Sequence, residues 1–187
     1  MADFTWFREQ GRDGLRTSLA PPSNDHLYRE VNEPREVFIL VYGPRQLHNV
    51  RARDLHWSIY WEVSGGGGKL IHLVQEDEPI FALPGQARGA TIIPTRRLVY
   101  WGPQTRSPGN ATHGARRISL GVMSLAHRQE IERIAWKVLV HKPDGQWNCQ
   151  HWIINLLYKM VDARIISKNG AEYAFGAAHH GVWFYML

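Results

Sequence analysis

Residues 55–63, Leu-His-Trp-Ser-Ile-Tyr-Trp-Glu-Val, alternate so that His56, Ser58, Tyr60 and Glu62 share one face of an extended chain while Trp57, Ile59, Trp61 and Val63 share the other. A helix would scatter these aromatics around its circumference, so the pattern demands a half-buried strand. Four consecutive glycines, Gly65 to Gly68, follow as a flexible turn, and residues 69–74 (KLIHLV) return as a second strand, which makes a hairpin. Its register is open. One register sets His72 opposite His56 and leaves Trp61 and Val63 in a wide loop; the other centres the turn on the glycines and sets His72 opposite Tyr60, about 13 Å along the strand from His56.

Other elements frame this hairpin. Residues 37–42 (VFILVY), stopped by Gly43-Pro44, read as a buried strand. Strand-like patches occur at 90–93 and 97–101, inside a stretch from 76 to 117 rich in proline and glycine, and residues 118–123 read as a last strand. Ser124 offers an N-cap to a helix over 125–140, with Ile131, Ile134, Ala135 and Val138 at helical spacing. Asn148 offers another to a helix carrying Ile153, Leu156, Leu157, Met160 and Val161. Residues 1–34 read as an irregular N-terminal arm and 35–187 as a single domain, with 171–187 unassigned. The class is α+β: a small antiparallel sheet packed against helices.

Charge and composition exclude several functions. The 187 residues carry a formal charge of +5, but Lys and Arg are scattered singly or in pairs such as Arg96-Arg97 and Arg116-Arg117, without a nucleic-acid motif, so nucleic acid is not an expected partner. No apolar run approaches the roughly 20 residues of a spanning helix, and the first residues lack the basic and apolar regions of a cleaved signal. A cytoplasmic protein without a transmembrane anchor is expected, with peripheral membrane contact left open. The sequon at Asn110-Ala111-Thr112 then has no role.

One cysteine, Cys149, rules out an internal disulfide and a multi-thiolate zinc site. A zinc site from His56, His72 and Cys149 lacks closely paired ligands, so neither a metal nor another cofactor is expected. At the start of a helix capped by Asn148, the thiol should feel the positive end of the helix dipole, which lowers its pKa and suits a nucleophile. A nucleophile needs a base, and His56 and His72 are the candidates. His151 points away from Cys149 on a helix and reads as structural, His179-His180 as a surface pair, and Trp57 and Trp61 as core.

The ordered set His56-Trp57-Ser58-Ile59-Tyr60, Ile71-His72-Leu73 and Asn148-Cys149-Gln150-His151-Trp152 resembles the lecithin:retinol acyltransferase family and its small thiol phospholipase/acyltransferase relatives. Gln150 and Trp152 stand where the family carries Glu and Phe. The resemblance is concentrated in two short blocks within residues 36–160. It implies Cys149 as nucleophile, His56 as general base and His72 as the residue that orients His56. It also implies a permuted papain-like (NlpC-type) fold, and a thiol acyl-transfer mechanism more than a phospholipid substrate. The expected substrate is a small acyl ester or amide, taken by an acyltransferase or hydrolase. The alternatives are a thiol amidase or peptidase, and a binding module that keeps the fold without turnover.

Overall fold

The computed structural model describes residues 23–43, 51–77, 96–141 and 146–180. Their strands are β1 (Arg35–Tyr42), β2 (His56–Glu62), β3 (Gly68–Ile71), β4 (Val74–Asp77), β5 (Arg96–Val99), β6 (Gln104–Arg106) and β7 (Arg116–Met123). The helices are α1 (Asn110–His113), α2 (Leu125–Ala135), α3 (Cys149–Asp162) and α4 (Lys168–His180). Five strands form one antiparallel sheet in the order β6-β3-β2-β1-β7, and β4 pairs with β5 in a second, two-stranded sheet. The expected strand at 90–93 lies outside the described residues.

The alternation of β2 decides which face becomes core. Trp57, Ile59 and Trp61 pair with Val41, Ile39 and Val37 of β1. Together they bury a face on which Ile131 and Ile134 of α2, Trp152 and Leu156 of α3, and Ala171, Ala174 and Ala178 of α4 pack. Each fully buried side chain of this size contributes roughly 1.5–3 kcal/mol by leaving water. The other face carries Leu40, Tyr60 and Leu70, with the Arg117 guanidinium 5.4 Å from the Phe38 ring centroid and 5.5 Å from that of Tyr60.

The hairpin register is neither of the two expected. Ile59 pairs with Ile71, Tyr60 with Leu70 and Glu62 with Gly68. Gly65 and Gly66 turn with φ of +73° and +79°, Val63 N–H donates to the Gly67 carbonyl at 2.9 Å, and the Tyr60 ring lies where a Cβ on Gly68 would stand. Extending this ladder by one residue brings His72 level with Ser58, a diagonal step from His56 on the same face. The 69–74 run is also not one strand. Pairing with β2 ends at Ile71, and after His72 and Leu73 the chain starts β4 at Val74, opposite Val99.

Helix α2 stops earlier than the periodicity suggests. Ser124 Oγ accepts the His127 N–H as its cap, but after Ala135 the Lys137 and Val138 amides bond three residues back, to Ile134 and Ala135, and Val138 reaches the core through this tightened turn. Helix α4 occupies most of the unassigned tail. Its alanines at i, i+3 and i+7 let it approach the sheet closely, Ser167 Oγ accepts the Gly170 N–H at its start, and Arg116 donates to the Ala177 and Ala178 carbonyls at its end. Residues 1–22 of the N-terminal arm lie outside the described residues. Residues 23–34 form no helix or strand but are tied down: Asp25 pairs with Lys69 at 2.9 Å, and Glu30 with the fully buried Arg128 at 2.8 Å. No helix among the described residues is long and apolar enough to cross a membrane.

Candidate active site

Three chain segments meet where β2 begins. Cys149 opens α3, His56 opens β2, and His72 occupies the bend between β3 and β4; all three line one cavity of about 420 Å³. Leu73, Val74, Leu98 and Trp147 give it an apolar wall, while Arg53, Asp54 and Asn148 form a polar rim. The structure therefore brings together the residues that the sequence singles out.

The first turn of α3 is built to hold the thiol. Asn148 Oδ1 accepts the Gln150 and His151 amides at 3.0 and 3.4 Å, and His151 Nδ1 accepts the Asn148 N–H at 3.2 Å, closing a capping box. His151 is thus structural, as expected. Backbone N–H groups of Trp57, Cys149 and Gln150 hydrogen-bond to the sulfur. These contacts favour a thiolate, yet burial outweighs them and pushes the Cys149 pKa above its ordinary value. The expected lowering at the helix start is therefore corrected: desolvation outweighs the backbone N–H groups that favour the thiolate.

The histidines form a pair despite the unforeseen register. His56 Nε2 and His72 Nδ1 lie 2.9 Å apart, with ring centroids at 5.1 Å and planes inclined by 71°. The Tyr42 ring packs beside His56 at 5.4 Å, and its hydroxyl is 3.2 Å from Ser58 Oγ. Burial lowers the pKa of His56 to about 4. Burial, reinforced by His56 and Arg106, lowers that of His72 to about 3. At neutral pH the resting site holds a neutral thiol and two neutral imidazoles, in which one ring donates to the other.

This neutrality has a stability consequence. Above about pH 6.5 neither the folded nor the unfolded state protonates these histidines, so they contribute nothing to the pH dependence. Below it the unfolded chain takes up protons that the folded site refuses, and stability falls with pH, by about 1.4 kcal/mol per unit for each histidine, until the lowered pKa values are reached. Asp25 acts in a separate, lower window. Burial raises its pKa, but hydrogen bonds from Lys69, Thr105 and Ser23 bring it down to about 2, so its contribution is present above pH 4 and lost as pH falls toward 2. Urea midpoints measured from pH 7.5 to 5 should show stability declining below 6.5, with the slope roughly halved in His72→Gln. A flat profile over that range would contradict neutral buried histidines.

Two contributors escape a reading of the sequence. The Trp57 N–H reaches Cys149 because β2 runs beneath the start of α3, a contact between residues 92 positions apart. Gln150 is 2% exposed and donates through Nε2 to the carbonyls of Ala52 and Leu55, both at 2.7 Å. Other expectations sort plainly. His179 is half-buried and packs edge-on against Trp57, with ring centroids 4.8 Å apart, while the His180 side chain of the expected surface pair lies outside the described set. Trp57 and Trp61 are core, as expected, with Trp61 Nε1 donating to Glu30 at 2.9 Å. Arg116 caps α4 and Arg117 pairs with Glu62 at 3.1 Å, while the side chains of Arg96 and Arg97 lie outside the described set. Among the described residues, no group of three or more His, Cys, Asp or Glu side chains is placed to hold a metal ion.

Fold and site together define an α+β protein with a helix-terminal cysteine beside a hydrogen-bonded histidine pair. Comparison with known proteins finds no matching family model, no similar curated protein and no similar solved structure.

Proposed function

We propose that the chain is a cysteine-dependent acyl-transfer enzyme, an acyltransferase or an ester or amide hydrolase, with Cys149 as nucleophile and His56 as general base. The observation that carries this reading is the 2.9 Å His56–His72 hydrogen bond in the cavity that Cys149 also lines. The order of the hairpin histidines His56 and His72 and the helix-terminal cysteine supports a permuted papain-like arrangement.

The chemistry follows from the tautomers. If His56 carries its proton on Nε2 and donates it to His72 Nδ1, then His56 Nδ1 has a free lone pair and acts as the base. As Sγ attacks the substrate carbonyl carbon, the thiol proton passes to Nδ1 and the carbonyl π electrons move to oxygen. We assign that oxyanion to the backbone N–H groups of Cys149 and Trp57, which favour negative charge on the sulfur in the resting site. Collapse breaks the C–O or C–N bond, the His56 imidazolium returns its proton to the leaving alcohol or amine, and a thioester remains. Water or an acceptor alcohol or amine then attacks the thioester. His72 strengthens its bond to His56 when the imidazolium forms, because that bond becomes charge-assisted. The apolar wall of Leu73, Val74, Leu98 and Trp147 suits the acyl portion, and the polar rim suits the departing group.

The test is trapping of the acyl-enzyme. Mixing the protein with p-nitrophenyl butyrate at pH 8 should add one butyryl group, mapped by mass spectrometry to Cys149, removed by hydroxylamine and absent in Cys149→Ala. If the folded parent protein neither acquires an adduct nor releases p-nitrophenol faster than Cys149→Ala while iodoacetamide still alkylates Cys149, the site is accessible but does not perform acyl transfer, and a binding module becomes the better account.

A further inference from the structure

We infer that Gln150 is the positioning residue that sets the nucleophile against its base, and that in this chain, where two carbonyls face it, the position requires a carboxamide in place of the Glu of the resembled family. The inference rests on the acyl-transfer reading above and extends it to a residue that touches neither the substrate nor the thiol through its side chain.

The geometry is a brace between two short segments. One is the first turn of α3, which carries Cys149. The other is the 3-10 turn Ala52–Asp54, which leads through Leu55 directly into His56. Gln150 Nε2 donates to the Ala52 and Leu55 carbonyls at 2.7 Å each, and Asn148 Nδ2 donates to the Arg53 carbonyl at 3.1 Å. Thus the residues on either side of Cys149 hold three of the four carbonyls immediately before His56. The Ala52 carbonyl also accepts the Leu55 N–H at 3.3 Å, so both of its lone pairs are engaged. The Leu55 carbonyl belongs to the peptide unit that ends at the His56 nitrogen, so its bond to Gln150 fixes the direction in which β2 starts.

The residue type follows from donor arithmetic. A carboxamide has two N–H hydrogens, and Gln150 presents one to each carbonyl inside a site that is 2% exposed. A carboxylate has none, and would set a buried negative charge against two carbonyl oxygens. Once protonated it regains one hydrogen and can satisfy one carbonyl. Glu at position 150 should therefore behave as a pH-dependent, half-repaired brace, whereas Met, similar in length and without a donor, should be defective at every pH. A purely space-filling role would leave no such dependence.

The closing experiment compares the parent chain, Gln150→Glu and Gln150→Met in single-turnover acylation by p-nitrophenyl butyrate from pH 6 to pH 9, normalised to the folded fraction from urea melts. Displacing a reacting group by about 1 Å costs on the order of 100-fold in rate, so both variants should lose about 100-fold at pH 8. At pH 6 the Glu variant should recover to within about tenfold of the parent as its carboxyl protonates, while the Met variant stays down. Parent-like rates in both variants, or equal losses at every pH, would overturn the brace. If Gln150→Glu does not fold at pH 8, the Met variant still decides: a normalised rate within about threefold of the parent overturns the inference. If the parent is not acylated, the acyl-transfer reading fails on its own. The brace is then read from iodoacetamide alkylation of Cys149 at pH 8, which should rise at least about fivefold in Gln150→Met as the start of α3 loosens; an unchanged alkylation rate would overturn it.

Discussion

His56→Ala should slow acylation of Cys149 by about 10²–10⁴-fold at pH 7, the range that a positioned general base contributes. Both partners of the proton transfer rest in their neutral forms, since burial raises the thiol pKa and lowers that of the imidazole. On the proposed mechanism the thiol therefore ionises only as it attacks, and it needs a base at that moment. Without His56 the proton must go to solvent or hydroxide. The deficit should accordingly be largest near pH 6–7 and shrink as pH approaches the raised thiol pKa. His72→Gln should cost less, because Cys149 keeps its base and His56 loses only the partner at 2.9 Å that selects its tautomer. Stopped-flow release of p-nitrophenol across pH 6–9 measures all three proteins. A His56→Ala rate within threefold of the parent at pH 7 would remove His56 from the mechanism.

Arg128→Met should destabilise the fold by about 3–5 kcal/mol, the usual cost of removing one partner from a buried ion pair. The Arg128 side chain is fully buried in α2, with Nε donating to Glu30 at 2.8 Å and its other nitrogens donating to the carbonyls of Met123, Val31 and Glu33. Truncation would strand three carbonyls and leave the Glu30 carboxylate, which also accepts from Trp61, without its counter-charge. The Glu30→Met/Arg128→Met double variant should recover part of the loss, because the unpaired charge goes while the carbonyls stay unsatisfied. The shift of the urea midpoint at constant slope measures the effect. A loss below about 1 kcal/mol in the single variant would mean that water replaces the guanidinium at little cost.

Much of the site is legible in the sequence. The alternation of residues 55–63 placed His56 at a strand start and Trp57, Ile59 and Trp61 in the core, and the capping side chain of Asn148 marked where α3 begins. What misled was distance. Both hairpin registers open to the sequence run residues 69–74 as one strand, whereas pairing with β2 ends at Ile71 and Val74 pairs with Val99 in the second sheet. The tail looked unassignable because Gly170 and Gly176 weaken intrinsic helix propensity, and α4 is held by packing of its alanines and by Arg116 from β7.

By itself the sequence determined local periodicity, the caps, the α+β class and the three residues gathered at the cavity, because side-chain alternation and capping act over a few positions. Only the tertiary structure decided the diagonal meeting of His56 with His72, the Trp57 N–H on the sulfur and the Gln150 brace. It alone also set the direction of the pKa shifts, since the net balance of burial against hydrogen bonds depends on segments far apart in the chain that meet only in the folded state.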